Sequence, residues 1–179
     1  PLTNKAVSGL YAPGSTFKMI VAMAALEYGV INPKHRIFCP GYVELGKTRF
    51  HCWKTHGHSW VNLNSAIQQS CDTYFYEIAK RVGINKIAEI GRRFGLGSAT
   101  GIDLPNERAG LMPTTKWKTK QFGISWQKGE TLIAGIGQGF VLTTPLQLAV
   151  MTSRIASGKE VEPHLLQAIV SEGQTSFVQ

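Results

Sequence analysis

The chain has 179 residues, of which 43% are hydrophobic and 17% are charged, and its formal net charge is +8. This composition is that of a globular domain with one sizeable core, and it excludes an intrinsically disordered chain. No run of about 18 apolar residues is present, which excludes a membrane-spanning helix within this stretch.

The start of the chain and its basic residues set two further expectations. The sequence opens on Pro1 without a basic segment followed by an apolar one, so we expect any export signal or membrane anchor to lie upstream. Basic side chains gather in residues 80–93 and 116–128. No nucleic-acid-binding motif accompanies them, so we interpret them as solvated helix faces and predict no nucleic-acid partner.

The first predicted elements are a helix and a hairpin. Pro13 and Gly14 interrupt the chain before an apolar run, which predicts a helix over residues 17–28. Residues 36–39 and 49–53 flank a turn and predict the two strands of one hairpin.

Helices dominate the rest of the prediction. Apolar side chains at spacings of three and four predict one helix over residues 63–81 and a shorter one over 85–94. Thr144 and Gln147 form a capping-box pattern that begins another helix, and residues 164–170 could begin a strand. So many helices with so few strands indicate that the partner sheet lies partly outside this chain.

The strongest chemical motif is Ser15-Thr16-Phe17-Lys18. On a helix, residues three apart lie on one face with Cβ atoms about 5–6 Å apart, so the Lys18 amine can reach the Ser15 hydroxyl. Serine is a weak nucleophile until a neighbouring base takes its proton, and a lysine whose pKa is lowered can be that base. A second copy, from Ser125 to Lys128, lacks a helix-start signal and is interpreted as chance.

Ser70-Cys71-Asp72 is a second candidate element, placed in the middle of the predicted 63–81 helix. In a structural role Ser70 bonds back to a helix carbonyl. Beside a serine–lysine pair, Ser70 could instead relay a proton, and Asp72 could hold Lys18 or orient a substrate amide.

The three cysteines, Cys39, Cys52 and Cys71, allow several arrangements. Cys39 and Cys52 are symmetric about the predicted turn, and directly opposed residues have Cα atoms about 4.5–5.5 Å apart, close enough for a disulfide. With His58, the three cysteines also make the Cys₃His set of a structural zinc site. The residues leave open zinc, a Cys39–Cys52 disulfide with Cys71 free, and unlinked thiols. The alternative fourth ligands are His51 and His56.

The glycine-rich residues 135–139 resemble a phosphate-binding loop only superficially. The Lys-Ser/Thr pair and the strand–turn–helix context of such a loop are absent. We therefore expect this backbone to pack closely behind the nucleophile.

Taken together, the motifs resemble those of the class B penicillin-binding proteins, and within them the penicillin-binding protein 2 branch of cell elongation. The similarity rests on Ser-x-x-Lys in its Tyr-Ala-Pro-Gly setting and on four later segments in the family's order. The matching residues are 11–18, 69–76, 100–104, 135–139 and 144–148.

This resemblance implies an α+β fold, the serine penicillin-recognising fold shared by β-lactamases and transpeptidases. Residues 1–179 would be its helical lobe, truncated before most of the antiparallel sheet, with a small hairpin insertion at about 36–60. The implied reaction is D,D-transpeptidation, in which a D-alanyl-D-alanine stem peptide acylates Ser15 and β-lactams are trapped there. Lys18 is then the base, Ser70 assists proton transfer, and Asp72 completes the second motif.

The resemblance also implies a setting. Some elongation-type relatives carry metal-ligand residue types at the positions of Cys39, Cys52, His58 and Cys71, which favours structural zinc. The implied location is the periplasmic face of the bacterial inner membrane. The implied partners are a lipid-linked peptidoglycan polymerase and an MreC-like rod-shape scaffold.

Two departures from the family pattern stand out. The second motif usually ends in Asn, where this chain has Asp72. The third motif, Lys-[Ser/Thr]-Gly, is absent and is expected beyond Gln179, so we expect the isolated chain to react poorly. The rival functions are a serine β-lactamase, a β-lactam sensor and a purely structural zinc module.

Overall fold

The computed structural model describes residues 3–166, 168–171 and 174–177. Its helices are α1 (Lys5–Ser8), α2 (Lys18–Glu27), α3 (Leu63–Gln68), α4 (Asp72–Val82), α5 (Ile84–Arg93), α6 (Thr115–Phe122), α7 (Lys128–Gly135) and α8 (Pro145–Ser157). The 3₁₀ turn Gly14–Phe17 leads directly into α2. Among the residues described, no helix is long and apolar enough to cross a bilayer.

The core lies where α2 and α4 cross, with α5 and α7 packed on α4. Apolar positions three and four apart give each central helix a buried face, and burial of such a face is the main source of helix stability. Side chains that are fully buried there include Phe17, Ile20, Tyr74, Phe75, Ile78 and Ile87.

The described strands form three separate antiparallel ribbons. The strands are β1 (Ile37–Cys39), β2 (Tyr42–Leu45), β3 (Thr48–His51), β4 (Ser59–Val61), β5 (Ala168–Ser171) and β6 (Gln174–Phe177). β1 pairs with β4, β2 with β3, and β5 with β6. The first two ribbons pack against α4 and place residues 37–61 beside its N-terminal end.

The predicted pairing of residues 36–39 with 49–53 is wrong. β3 pairs with β2, and Leu45 faces Thr48 across a two-residue turn. Gly46 has a φ of +61°, the left-handed conformation that such tight turns favour. Cys39 lies in the other ribbon, opposite Ser59, while the Cys52 N–H donates to the Gly41 carbonyl.

The single predicted helix over residues 63–81 is also wrong, because the chain breaks between α3 and α4. Ser70 lies in this junction with a φ of +51°, outside the helical region. The apolar spacing that predicted one helix included Ile67, whose side chain is exposed, so the spacing did not report burial across the break.

Three other helix predictions are confirmed, with shifted ends. The structure places α2, α5 and α8 where helices were predicted, and Thr144 and Gln147 form the predicted capping box of α8. α6 and α7 were missed, since each has only eight residues and too few apolar side chains to show a regular spacing. The predicted strand at 164–170 overlaps β5, although residue 167 lies outside the described residues.

Candidate active site

The first site residue, Ser15, lies exposed on the 3₁₀ turn that precedes α2. Behind it, the Gly14 N–H donates to the Gly137 carbonyl at 2.9 Å. A Cβ atom on Gly137 would come within 2.2 Å of the Gly14 carbonyl oxygen, so only glycine allows this approach. The expected packing of the glycine-rich segment behind the nucleophile is thus confirmed.

Lys18 is the first residue of α2, and its side chain is 3% exposed. Its Nζ atom lies 2.9 Å from the Ser70 carbonyl oxygen, 2.9 Å from Ser70 Oγ and 2.6 Å from Asp72 Oδ1. Three acceptors around one amine match the three donors of an ammonium group. The positive charge is further held 5.5 Å from the centroid of the Phe75 ring.

Ser70 connects this lysine to Ser15. Its hydroxyl donates to Ser15 Oγ at 2.9 Å and accepts from Lys18. Among the described residues the Lys18 amine has no hydrogen bond to Ser15, so the direct serine–lysine contact of the sequence analysis is replaced by a chain through Ser70. The predicted mid-helix placement of Ser70 is corrected as well, since its hydroxyl reaches Ser15 from the α3–α4 junction.

Asp72 is the first residue of α4, where a carboxylate also interacts favourably with the helix dipole. One carboxylate oxygen pairs with Lys18, and the other accepts the Trp53 backbone N–H at 3.0 Å. The structure therefore brings all four predicted catalytic side chains together in one hydrogen-bonded group.

Trp53 was missed as a member of this group. Its indole Nε1 donates to the carbonyl oxygens of Gln69 and Ser70, each at 3.1 Å. The only signal in the sequence was the position of Trp53 next to Cys52.

Beside this group, the four predicted metal-ligand side chains also come together. Cys39 ends β1, Cys52 follows β3, His58 precedes β4 and Cys71 is the N-cap of α4. All four are buried, and their ligand atoms lie within 4.8 Å of one another. The Cys39 and Cys52 sulfurs are each 3.6 Å from His58 Nδ1.

This geometry fits a tetrahedral zinc ion. With sulfur at about 2.3 Å and nitrogen at about 2.0 Å from the metal, tetrahedral ligands stand about 3.5 Å apart. The His58 ring turns Nδ1 toward the thiols, and its buried Nε2 atom has no partner among the described atoms. His51 and His56 lie outside this cluster.

The thiols interact strongly with one another. A hydrogen bond from Cys71 lowers the pKa of Cys52, and backbone N–H groups of Thr73, Lys54 and Asp72 act in the same direction. The same hydrogen bond, together with burial, raises the pKa of Cys71. The structure has all three cysteines as free thiols, and the predicted opposition of Cys39 and Cys52 across one hairpin is wrong.

The family of the chain follows from its comparison with known proteins. Residues 1–178 match the model of the penicillin binding protein transpeptidase domain. The chain belongs to this family. The peptidoglycan D,D-transpeptidase MrdA of Acinetobacter baumannii is 46% identical over 171 residues, which are 94% of this chain and 25% of that protein.

Solved structures of penicillin-binding protein 2 have the same fold. Pseudomonas aeruginosa PBP2 in complex with WCK 5153 has a TM-score of 0.88 and 45% identity, over 92% of this chain and 38% of that one. PBP2 in a complex with MreC from Helicobacter pylori has a TM-score of 0.89 and 44% identity, over 92% and 31%. The chain is thus a helix-rich part of the transpeptidase fold, as the resemblance implied, and it spans about a quarter of the MrdA relative.

Proposed function

We propose that this chain carries the acyl-transfer site of a peptidoglycan D,D-transpeptidase. The observation that supports this most is the hydrogen-bonded chain from Lys18 through Ser70 to Ser15 within a transpeptidase-family fold. An exposed hydroxyl linked to a buried lysine is the arrangement that an activated serine nucleophile needs. In this proposal residues 1–179 are a partial transpeptidase domain, with an insertion at about 36–60.

In the acylation step, Ser15 Oγ attacks the carbonyl carbon between the last two D-alanines of a stem peptide. When Lys18 is neutral, the hydroxyl hydrogens reverse direction, so that Ser15 donates to Ser70 and Ser70 donates to Lys18. The Ser15 proton passes along this chain as the new C–O bond forms. The same proton returns to the amide nitrogen as the C–N bond breaks and D-alanine leaves.

In the transfer step, the amine of a neighbouring stem peptide attacks the ester on Ser15. As the new C–N bond forms, the amine loses a proton to the Ser70–Lys18 chain. The C–O bond to Ser15 then breaks, Ser15 Oγ takes up a proton from Ser70, and the peptide crosslink is complete. Asp72 keeps the Lys18 amine beside Ser70 during both steps. One oxygen of its carboxylate accepts a hydrogen bond from Lys18, and the other accepts one from the Trp53 backbone N–H.

The test is a donor–acceptor reaction with the full-length protein. A synthetic pentapeptide ending in D-Ala-D-Ala and an excess of a D-amino acid acceptor are incubated with the protein, and the products are identified by mass. We expect loss of one D-alanine and a joined product, both absent with Ser15→Ala. Hydrolysis without transfer would indicate a β-lactamase-like or carboxypeptidase activity, and one stable acylation without turnover would indicate a sensor.

The isolated chain of 179 residues should react more slowly than the full-length protein. Its sequence contains no Lys-[Ser/Thr]-Gly motif, which the family places on a strand beside the nucleophile. Acylation of both forms by the same penicillin, measured side by side, tests this difference.

We further propose the periplasmic face of the inner membrane as the place of action, with β-lactams as inhibitors. The MreC complex of the Helicobacter pylori relative supports an MreC-like scaffold as a partner. A lipid-linked peptidoglycan polymerase is the expected second partner, since crosslinking acts on newly made glycan. Copurification of the full-length protein with each partner tests these assignments.

We also propose that Cys39, Cys52, His58 and Cys71 hold a structural zinc ion. Four buried protein ligands leave no open position for catalysis, so the ion would supply a cross-link only. This cross-link would fasten both ribbons at residues 37–61 to the start of α4, immediately beside Ser70 and Asp72.

Metal analysis tests the zinc proposal. We expect one zinc per chain, and loss of the metal together with a lower unfolding midpoint in Cys39→Ser. His56→Ala, a histidine outside the cluster, is the matched control and should retain the metal. A metal-free protein whose mass is lower by two hydrogens would instead indicate a disulfide and contradict the proposal.

A further inference from the structure

The segment that presents Ser70 and Asp72 adopts an unfavourable backbone conformation. Between the end of α3 and the start of α4, Ser70 has a φ of +51°, which a residue with a side chain rarely adopts. Its hydroxyl must nevertheless lie between Ser15 and Lys18 to within hydrogen-bond distance. Neighbouring contacts must therefore fix the junction.

Trp53 makes three of these contacts. Its indole Nε1 donates to the carbonyl oxygens of Gln69 and Ser70, each at 3.1 Å, and its backbone N–H donates to Asp72 Oδ2 at 3.0 Å. One residue therefore holds both sides of the junction, although 63% of its own surface is exposed. Exposed tryptophan rings contribute little to a core, so burial alone does not explain this placement.

The ring itself is held in place by the cluster beside it. Trp53 packs edge-to-face on His58, with ring centroids 5.3 Å apart and an interplanar angle of 67°. The preceding residue, Cys52, is buried, and its backbone N–H donates a hydrogen bond to the Gly41 carbonyl. These contacts fix the position of the Trp53 ring, and its indole N–H points at the junction.

We propose that Trp53 is a positioning residue of the acylation step. Its indole N–H shares the Ser70 carbonyl with the Lys18 amine, so it sets both the direction of that carbonyl and the place of the Ser70 hydroxyl. Without this donor, the junction relaxes and the Ser70 hydroxyl leaves the line between Lys18 and Ser15. This inference rests on the proposed function, because acylation of Ser15 is its readout.

The experiment separates chemistry from binding in the full-length protein. The acylation rate constant k2 and the dissociation constant Ks of a penicillin are measured for Trp53→Phe and for a protein with 3-benzothienylalanine at position 53. The benzothienyl group replaces the indole N–H by sulfur and keeps the ring shape. Since loss of one positioning hydrogen bond costs about one factor of ten at most, we expect k2 to fall about five- to tenfold with Ks unchanged.

Two controls make the result specific. Trp60→Phe alters a tryptophan of similar exposure whose ring packs on Phe38 instead, and it should leave k2 unchanged. 5-Fluorotryptophan at position 53 keeps the N–H and should restore the parent k2.

Three outcomes would overturn the inference. A benzothienyl variant with the parent k2 would exclude a role for the indole donor. A fall in the fraction of protein that can be acylated, with normal k2 in the remainder, would indicate a merely structural role. A parent protein that penicillin does not acylate at all would overturn the proposed function and this inference with it.

Discussion

Ser70 Oγ lies 2.9 Å from Ser15 Oγ and donates a hydrogen bond to it. This contact joins two segments far apart in sequence, the 3₁₀ turn before α2 and the junction between α3 and α4. It makes Ser70 the only hydrogen-bonded link, among the described residues, between Ser15 and the buried Lys18 amine. In the proposed mechanism, the activation of Ser15 therefore depends on the backbone of the junction as much as on the Ser-x-x-Lys spacing.

The first prediction concerns this link. Ser70→Ala removes the hydroxyl between Ser15 and Lys18, and proton relay of this kind contributes about 10²- to 10⁴-fold to rate. We expect k2 for penicillin acylation to fall at least about 100-fold, with little change in the unfolding midpoint. Ser125→Ala, in the second Ser-x-x-Lys sequence, is the matched control, and an equal effect of both changes would contradict the assignment.

The second prediction concerns Asp72. Asp72→Ala leaves the buried Lys18 charge and the Trp53 N–H each without a partner, and breaking one side of a buried ion pair costs about 3 kcal/mol. Asp72→Asn keeps the hydrogen-bonding shape, so it should cost roughly half as much. Urea unfolding of the parent, Asp72→Asn and Asp72→Ala should give free energies of unfolding that decrease in this order. An alanine variant as stable as the parent would refute the prediction.

The third prediction concerns the contact behind the nucleophile. Gly137 and Gly123 have φ values of +69° and +70°, so alanine suffers the same backbone strain at both. At position 137 the new methyl group would also meet the Gly14 carbonyl at 2.2 Å, whereas at 123 it meets nothing within 4 Å. We expect Gly137→Ala alone to slow acylation strongly and to lower the unfolding midpoint further than Gly123→Ala does.

The fourth prediction concerns pH. Burial raises the pKa of Tyr76 to about 12, and the charges of Asp72 and Cys52 add to the effect. The unfolded phenol ionises near its ordinary pKa of about 10, so the folded state binds this proton more tightly. Its contribution to stability is complete below pH 10 and is lost between about pH 10 and 12.

The measurement is the free energy of unfolding across this range for the parent and Tyr76→Phe. The difference between the two proteins should be constant below pH 10 and should shrink above it. A difference that does not change with pH would contradict the raised pKa.

Much of the site was predictable because its residues are encoded locally. Ser15 and Lys18 sit three apart at a helix start, and the four metal-ligand residue types could be chosen from the chain before their positions were known. The caps of α8 were equally local, since Thr144 and Gln147 contact each other within one turn.

What sequence reasoning missed depends on contacts between distant segments. The break at Ser70 coincides with carbonyls that accept from Lys18 and Trp53, neither of which is near it in sequence. The two-residue turn sets the register of β2 and β3, and β1 pairs with β4 instead of β3. Cys39 and Cys52 therefore meet in the buried cluster and not as opposed residues of one hairpin. Periodicity reports which side of a segment is buried, but it does not report these pairings.

The most direct test of the account is the intact mass of the full-length protein after incubation with a penicillin, beside its Ser15→Ala variant. We predict one lasting adduct with the mass of the opened β-lactam, absent in Ser15→Ala. No adduct on the parent, or the same adduct on both proteins, would contradict the assignment of Ser15 as the nucleophile.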